Sequence, residues 1–510
     1  MVDKTYSAGS LGLEAFIVEV ETNISKGLPF LNIVGLPNAA VKESKERVYA
    51  VFQNCGFQFP MKRVTMNLGP ATWRKEGPIY DLPFFISLLK STGQLDCNTD
   101  DSVFVGELSL SGAVRPMSRL LPMVSAAKAK GFRRFFMPAE NAQEAAVIRG
   151  IQVYPVAHVQ QLLAHLVGKA FLSPALPKTS SQEQQFRQLP DFADVQGQTK
   201  AKRAMEIAAS GGHNLLMIGP PGSGKSMLAQ RLPSIMPPMT AEESIETTTI
   251  HSVLGLLPED HGLVETRPFR SPHHTTSAVA LIGGGQTPRP GEISMAHNGI
   301  LFLDEFPEFA RNVVEALRQP MEDGKVTISR AAASVSFPTR FMLVAAMNPC
   351  PCGNFGHPTL TCTCSPKVAR QYLNRVSGPM LDRLDLHVEV PPVRFDQLIN
   401  RSPGESSATI RARVRAARQR QQKRYQDFGI HCNAALPAQL VPKVCRTSPQ
   451  VKPLLQKMFQ QYNLSARGHN QILKVARTIA DLADSEIIQP LHVAEAVHFR
   501  SLDRKFWHQT

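Results

Sequence analysis

The residues Gly219, Pro220, Pro221, Gly222, Ser223, Gly224, Lys225 and Ser226 follow the apolar run NLLMI and precede MLAQRL. They spell G-x-x-x-x-G-K-S between a strand-like and a helix-like segment. Glycines at this spacing let backbone N–H groups curl around phosphate oxygens. A helix starting at the loop adds the positive end of its dipole. Lys225 is then placed for the β- and γ-phosphates, and the Ser226 hydroxyl for Mg²⁺. A second piece, GILFLDE, is a continuous apolar run ending in two carboxylates, the pattern of a buried parallel strand. Asp304 at its tip can hold Mg²⁺ through water, and Glu305 is placed to polarise an attacking water. A third apolar run, FMLVAAMN, ends in Asn348. Strand ends of a parallel sheet collect on the ligand-binding edge, where a neutral amide can orient a water near the γ-phosphate. Arg383 stands just before a fourth strand-like run, and arginine suits the charge on a transferring phosphoryl group. These groups imply ATP and Mg²⁺ as cofactors.

Four of the eight cysteines crowd in beside Asn348, as Cys350, Cys352, Cys362 and Cys364. Four thiolates can close a tetrahedral Zn²⁺ site on a loop too short for a core of its own. Structural zinc pairs usually have two to four residues between their cysteines; here there is one. Zinc and four reduced thiols are both open readings. Cys55, Cys97, Cys432 and Cys445 are scattered and read as structural.

The elements that must position these groups fall into an α/β protein. Residues 1–168 read as a compact α/β unit, with AFIVEVETNIS and LPFLNIV as strands and Val41, Val48 and Val51 on one helix stripe. Residues 169–190 are rich in Pro, Ser and Gln and read as a linker. Residues 191–395 alternate apolar strands with helices, the pattern of a P-loop parallel-sheet core. Residues 396–510 read as a helical lid. The 510-residue chain has no apolar run long enough to span a membrane and no signal-peptide pattern, so a cytoplasmic protein without a membrane partner is expected. Its formal net charge is +14, and residues 396–510 carry 18 Lys and Arg against 8 Asp and Glu. Such an excess fits a polyanionic partner, nucleic acid before membrane; a merely solvated basic surface fits it as well.

The order of these pieces resembles the AAA+ ATPases, and within them the Mg-chelatase-like branch and its ComM/YifB family. The resemblance rests on DFADVQGQTKAKRAMEIAASGGHNLLMIGPPGSGKS, RPFRSPHHTTSAVALIGGG, PGEISMAHNGILFLDEFPEF, MNPCPCG and LSARGHNQILKVARTIADL, and covers nearly the whole chain. It implies a homohexameric ring with ATP sites between subunits. It further implies that Asn348 is sensor 1, that Arg383 is the finger acting on a neighbour's ATP, and that Arg467 is sensor 2 on a lid of the Mg-chelatase C-terminal type. Asp194 to Gln198 would form the adenine-side loop. The implied activity is that of a DNA motor driving branch migration on single-stranded and branched DNA while incoming DNA is recombined in natural transformation.

The N-terminal stretches VFVGELSLSGAVRPMSRLLP and RKEGPIYDLP resemble the Lon-protease domain. At the positions of the Lon Ser–Lys dyad stand Ile79 and Leu121, which cannot act as nucleophile and base, so a Lon-like fold without proteolysis is expected. MEDGKVTISRAAASVSFPTRFML reads as two strands around RAAAS, where helicase-like relatives carry a pore hairpin; Lys325 and Arg330 are its candidates for DNA phosphate contact. His273 and His274 read as packed polar residues. The seven basic residues from Arg411 to Arg424 scatter round several helix faces and read as a solvated lid helix. Two rivals stand beside the DNA motor. One is a metal-chelatase motor subunit remodelling a protein partner. The other is a transcription-regulating partner, for which no GAFTGA-like loop is present.

Overall fold

The structure is a computed structural model. It describes the chain except residues 1–2, 178–181, 258–262, 286–287, 331–332, 358, 393–403, 463–464, 501, 503–505 and 508–510, and the side chains of residues 182–184, 330, 333 and 459–462. Part of the expected linker, the 395/396 boundary and the Arg330 side chain therefore lie outside the described residues.

The chain forms two compact units. The first holds a seven-stranded sheet made of β1 (Asp3–Leu11), β2 (Glu14–Ser25), β3 (Phe30–Val34), β4 (Arg63–Gly69), β5 (Ser102–Phe104), β6 (Arg134–Pro138) and β7 (Gln152–Val156), in the order β3-β4-β2-β1-β5-β6-β7. β1 and β2 pair antiparallel from Asp3↔Thr22 to Leu11↔Glu14. Along β2 the buried residues alternate as Val18, Val20 and Thr22, the period-2 signature of a strand with one covered face. Helix α1 (Ala39–Asn54) starts where the Asn38 side chain accepts from the Val41 backbone N–H, and it buries Val41, Val48 and Val51 as its stripe requires. Helix α2 (Asp81–Ser91) is buried almost throughout. Its Asp81 carboxylate is held by Arg47 at 2.6 Å and by the Leu108 N–H at 3.1 Å. Helix α3 spans Leu120–Ala129. Ile79 and Leu121, the residues at the dyad positions, are both buried in the hydrocarbon core of this unit. The helix Ala241–Leu254 and the chain onward to Val264 also belong to this unit: Ile245 and Leu263 pack on its core, and Ser252 bonds to Glu144. By position in the sequence they lie inside the stretch 191–395.

The second unit is built on a five-stranded sheet made of β8 (Leu215–Ile218), β9 (Phe269–Arg270), β12 (Ile300–Leu303), β15 (Met342–Met347) and β16 (Leu386–Glu389), in the order β9-β12-β15-β8-β16. Every pairing is parallel, with Leu215 opposite both Val344 and Leu386. β8, β12 and β15 are buried at every position, so they read as unbroken apolar runs. Between β9 and β12 lies a small ribbon of β10 (Gly283–Gly284) and β11 (Arg289–Pro290). Between β12 and β15 in the chain come β13 (Lys325–Arg330) and β14 (Ala333–Pro338), which form a two-stranded hairpin; residues 333–336 of β14 are grouped with the first unit. Helices α4 (Thr199–Gly211), α5 (Lys225–Arg231), α6 (Ala278–Ile282) and α7 (Arg318–Asp323) flank the sheet. The C-terminal region is helical, led by α8 (Ser407–Arg424) and α9 (Ala466–Leu482).

The basic residues of α8 differ from expectation. Arg413 pairs with Glu206 of α4 and with Glu405, Arg424 with Asp481, and Arg418 donates to the Ala209 carbonyl at 3.0 Å. Arg420 reaches the Asp481 carbonyl at 2.8 Å, and Arg411 the Ser234 carbonyl at 2.6 Å. Only Arg415 and Lys423 of the seven are exposed. The helix is clamped to its neighbours by guanidinium groups whose stems are covered, rather than presenting a solvated basic face.

Candidate nucleotide site

β8 ends at the phosphate loop. Gly222 and Gly224 take positive φ values of 73° and 89°, a region open to glycine at little steric cost. A Cβ on Gly219 would lie 2.1 Å from the Val390 carbonyl oxygen, so the loop leaves the sheet where only glycine fits. Lys225 is buried, and its Nζ donates to the carbonyls of Gly219 (2.8 Å) and Pro220 (2.9 Å) and to Asn348 Oδ1 (3.2 Å). Burial holds the Lys225 ammonium below the ordinary lysine range, with Asp304 pulling the other way. Ser226 Oγ donates to Asp304 Oδ2 at 2.5 Å. Two cis oxygens on an octahedral Mg²⁺ stand about 2.9 Å apart, so this hydrogen bond would open slightly for the pair to share the ion.

The three strand tips thus converge on the loop, as the apolar runs predict. Asp304 also accepts the Glu305 N–H at 2.9 Å. Glu305 itself sits in the left-handed region at φ 52°. Its carboxylate is paired with His274, Nδ1 to Oε2 being 3.1 Å. His273 is exposed and stacks on His274 with ring centroids 4.1 Å apart. The reading of the two histidines as packed polar residues holds for half-buried His274 and is corrected for His273, which is exposed beside the strand tips. Gln198, in the segment expected on the adenine side, donates to the carbonyls of Ser223 (3.3 Å) and Pro391 (2.6 Å).

Arg383 and Arg467 meet elsewhere. Arg383 is buried and donates to Glu322 Oε1 at 2.6 Å and to the Pro379 carbonyl at 2.7 Å. Arg467, at the start of α9, donates to the same Glu322 oxygen at 3.0 Å. Burial weakens the charged form of Arg383, with Glu322 opposing and Arg467 and Arg318 adding to the burden. Among the described residues neither arginine bonds to the phosphate loop or to the tips of β12 and β15. Asn214, just before β8, fixes the local frame: its side chain donates to the Arg383 carbonyl at 2.9 Å and accepts the Leu343 N–H at 2.8 Å. Asn214 and Glu322 carry no expectation from the sequence, and His274 is read there only as a packed polar residue. Only Asn214 had a signal, a polar residue abutting an apolar strand.

The four cysteine sulfurs of the loop after Asn348 all lie within 4.8 Å of one another. The separations of Cys350 to Cys352, Cys350 to Cys362 and Cys352 to Cys362 are 3.4, 3.7 and 3.6 Å. A tetrahedral Zn²⁺ with bonds of about 2.3 Å has sulfur edges of about 3.8 Å, so the donor set fits that ion. The loop abuts the phosphate loop: a Cβ on Gly353 would lie 2.3 Å from Pro221 Cδ. Lys325 is exposed on β13.

The parallel sheet, the phosphate loop and the strand-tip carboxylates define a magnesium-chelatase-like AAA+ protein. Family models match in chain order: Subunit ChlI of Mg-chelatase over residues 20–141, Magnesium chelatase, subunit ChlI over residues 191–398, and its C-terminal region over residues 404–500. The chain is 43% identical to YifB of Escherichia coli over 99% of its own length and 98% of that protein. It is 42% identical to Competence protein ComM of Haemophilus influenzae over 98% of its length and 97% of that protein. The Magnesium-chelatase 38 kDa subunit of Cereibacter sphaeroides is 26% identical over 31% of this chain and 52% of that protein. The chain belongs to the ComM/YifB family. No helix among the described residues is long and apolar enough to cross a membrane.

Proposed function

We infer that this protein hydrolyses ATP to move along DNA, working as a ring of identical subunits that promotes branch migration when incoming DNA is integrated. The observation that carries the reading is the end-to-end likeness to a competence protein, on a chain whose phosphate-loop lysine is already bonded to the Asn348 strand tip. In this reading the loop N–H groups and Lys225 bind the triphosphate, and Ser226 and Asp304 hold Mg²⁺. That ion would neutralise charge on the phosphates. Glu305 polarises the attacking water and Asn348 orients it. Arg383 and Arg467, turned away from their own loop, serve the nucleotide of an adjacent subunit. The hairpin of β13 and β14 grips phosphates through Lys325 and Arg330, contacts that carry no sequence information and so suit travel over any sequence. The cysteine loop holds one structural zinc and buttresses Pro221.

Unwinding of forked and branched DNA with ATP, with Lys225→Ala as control, tests this reading. The chelatase models favour a second one, a motor that remodels a protein partner. ATPase stimulation by DNA separates the two, because only the first requires it.

A further inference from the structure

The histidine segment has a role that the reading above leaves unused. Among the described side-chain contacts of Glu305, the one to its carboxylate comes from His274, whose Nδ1 lies 3.1 Å from Oε2. The two atoms lie at ion-pair distance, so a proton on Nδ1 faces a carboxylate oxygen that can only accept. The imidazole is braced on two sides, by the His273 ring at 4.1 Å and by the Phe309 edge at 6.5 Å. The Glu305 side chain is 56% exposed. Unrestrained, such a carboxylate samples several rotamers, and a group that must meet one water loses rate when its position wanders.

The same segment runs on into α6, capped by the Ser277 hydroxyl, which accepts the Ala280 N–H at 3.2 Å. α6 ends at Gly283, φ 108°. A Cβ there would lie 2.5 Å from the Arg289 carbonyl oxygen and 2.9 Å from Ile328 Cδ1. Ile328 is a buried residue of β13, so the hairpin packs directly on the glycine backbone at the far end of the His274 segment.

We propose that His274 is a positioning residue for Glu305, and that the segment from His274 to Gly283 links the hairpin to that carboxylate. The proposal rests on the reading of Glu305 as the water-polarising group. Movement of the hairpin shifts Ile328 against Gly283, and α6 transmits the shift to the imidazole. Packed side chains and a short rigid helix are the kind of contiguous path that carries coupling.

The test uses the full-length protein and steady-state ATP hydrolysis, with and without single-stranded DNA. His274→Ala is expected to lower kcat by about tenfold or more while KM for ATP stays within about twofold. His274→Asn, whose amide nitrogen takes the place of Nδ1, is expected to restore most of kcat. Ile328→Ala, with His274 intact, is expected to reduce the ratio of DNA-stimulated to basal rate. An unchanged or raised kcat in His274→Ala, or an asparagine variant no better than alanine, overturns the positioning role. An undiminished DNA ratio in Ile328→Ala overturns the link to the hairpin. Failure of the underlying readings shows differently. A Glu305→Gln protein at wild-type rate removes Glu305 as the base. A wild-type protein insensitive to DNA removes the DNA reading, while the basal kcat of His274→Ala still decides the positioning role.

Discussion

The ammonium of Lys225 and the amide oxygen of Asn348, 123 residues apart in the chain, lie 3.2 Å apart in the fold. The strand that ends in Asn348 therefore touches the phosphate loop directly. Lys225→Ala is expected to weaken ATP binding strongly, and Asn348→Ala to lower kcat with little change in KM, since in the proposed mechanism one group binds and the other orients water. The lysine also sets a pH dependence. Only its charged form attracts phosphate, and burial holds its pKa below the ordinary lysine value. Nucleotide affinity is then full below that lowered pKa and falls as pH rises through it. Titrating affinity against pH for wild type and Lys225→Ala checks this: the alkaline loss should vanish in the variant.

Arg383 and Arg467 share one oxygen of Glu322. If both act on a neighbour's nucleotide, Arg383→Ala subunits mixed into wild type should poison shared sites, and ATPase should fall more steeply than the wild-type fraction. A linear fall would mean that each subunit hydrolyses alone.

The cysteine loop predicts about one zinc per chain in metal analysis of protein made without chelator. Replacing Cys350 and Cys352 by Ser should remove the metal and weaken nucleotide binding together, because Gly353 rests on Pro221. Full ATP affinity in metal-free protein would separate the loop from the site.

The hairpin predicts a salt signature. Lys325→Ala and Arg330→Ala should each weaken DNA binding and lower the slope of log affinity against log salt by about one unit. The double variant should lose about two units. Unchanged slopes would move the DNA grip elsewhere. Helix α8 is then a poor substitute, since five of its seven cations from Arg411 to Arg424 are engaged within the fold.

The site was legible in the sequence wherever chemistry sat at the end of a buried strand. β8, β12 and β15 are covered on both faces, so they appear as unbroken apolar runs, and the next residue is the one proposed to act on the nucleotide: Gly219, Asp304, Asn348. Contacts made by tertiary packing were not legible. His274 meets Glu305 only because β9 lies beside β12 in the sheet, and nothing in the spacing of RSPHHTT carries that adjacency. Glu322 joins Arg383 and Arg467 from three separate elements. The basic run of α8 was misread because residue counts do not tell whether a guanidinium faces water or a carbonyl. Residues 241–264 read as part of the stretch that builds the sheet, yet Ile245 and Leu263 pack on the core of the N-terminal unit, a partnership without periodicity of its own.

Unwinding and branch migration of forked and four-way DNA by the intact protein test the central claim most directly. ATP-dependent strand displacement that is absent in Lys225→Ala is the expected result. Robust ATP hydrolysis that neither responds to DNA nor displaces a strand would contradict it, and would leave a motor acting on a protein partner.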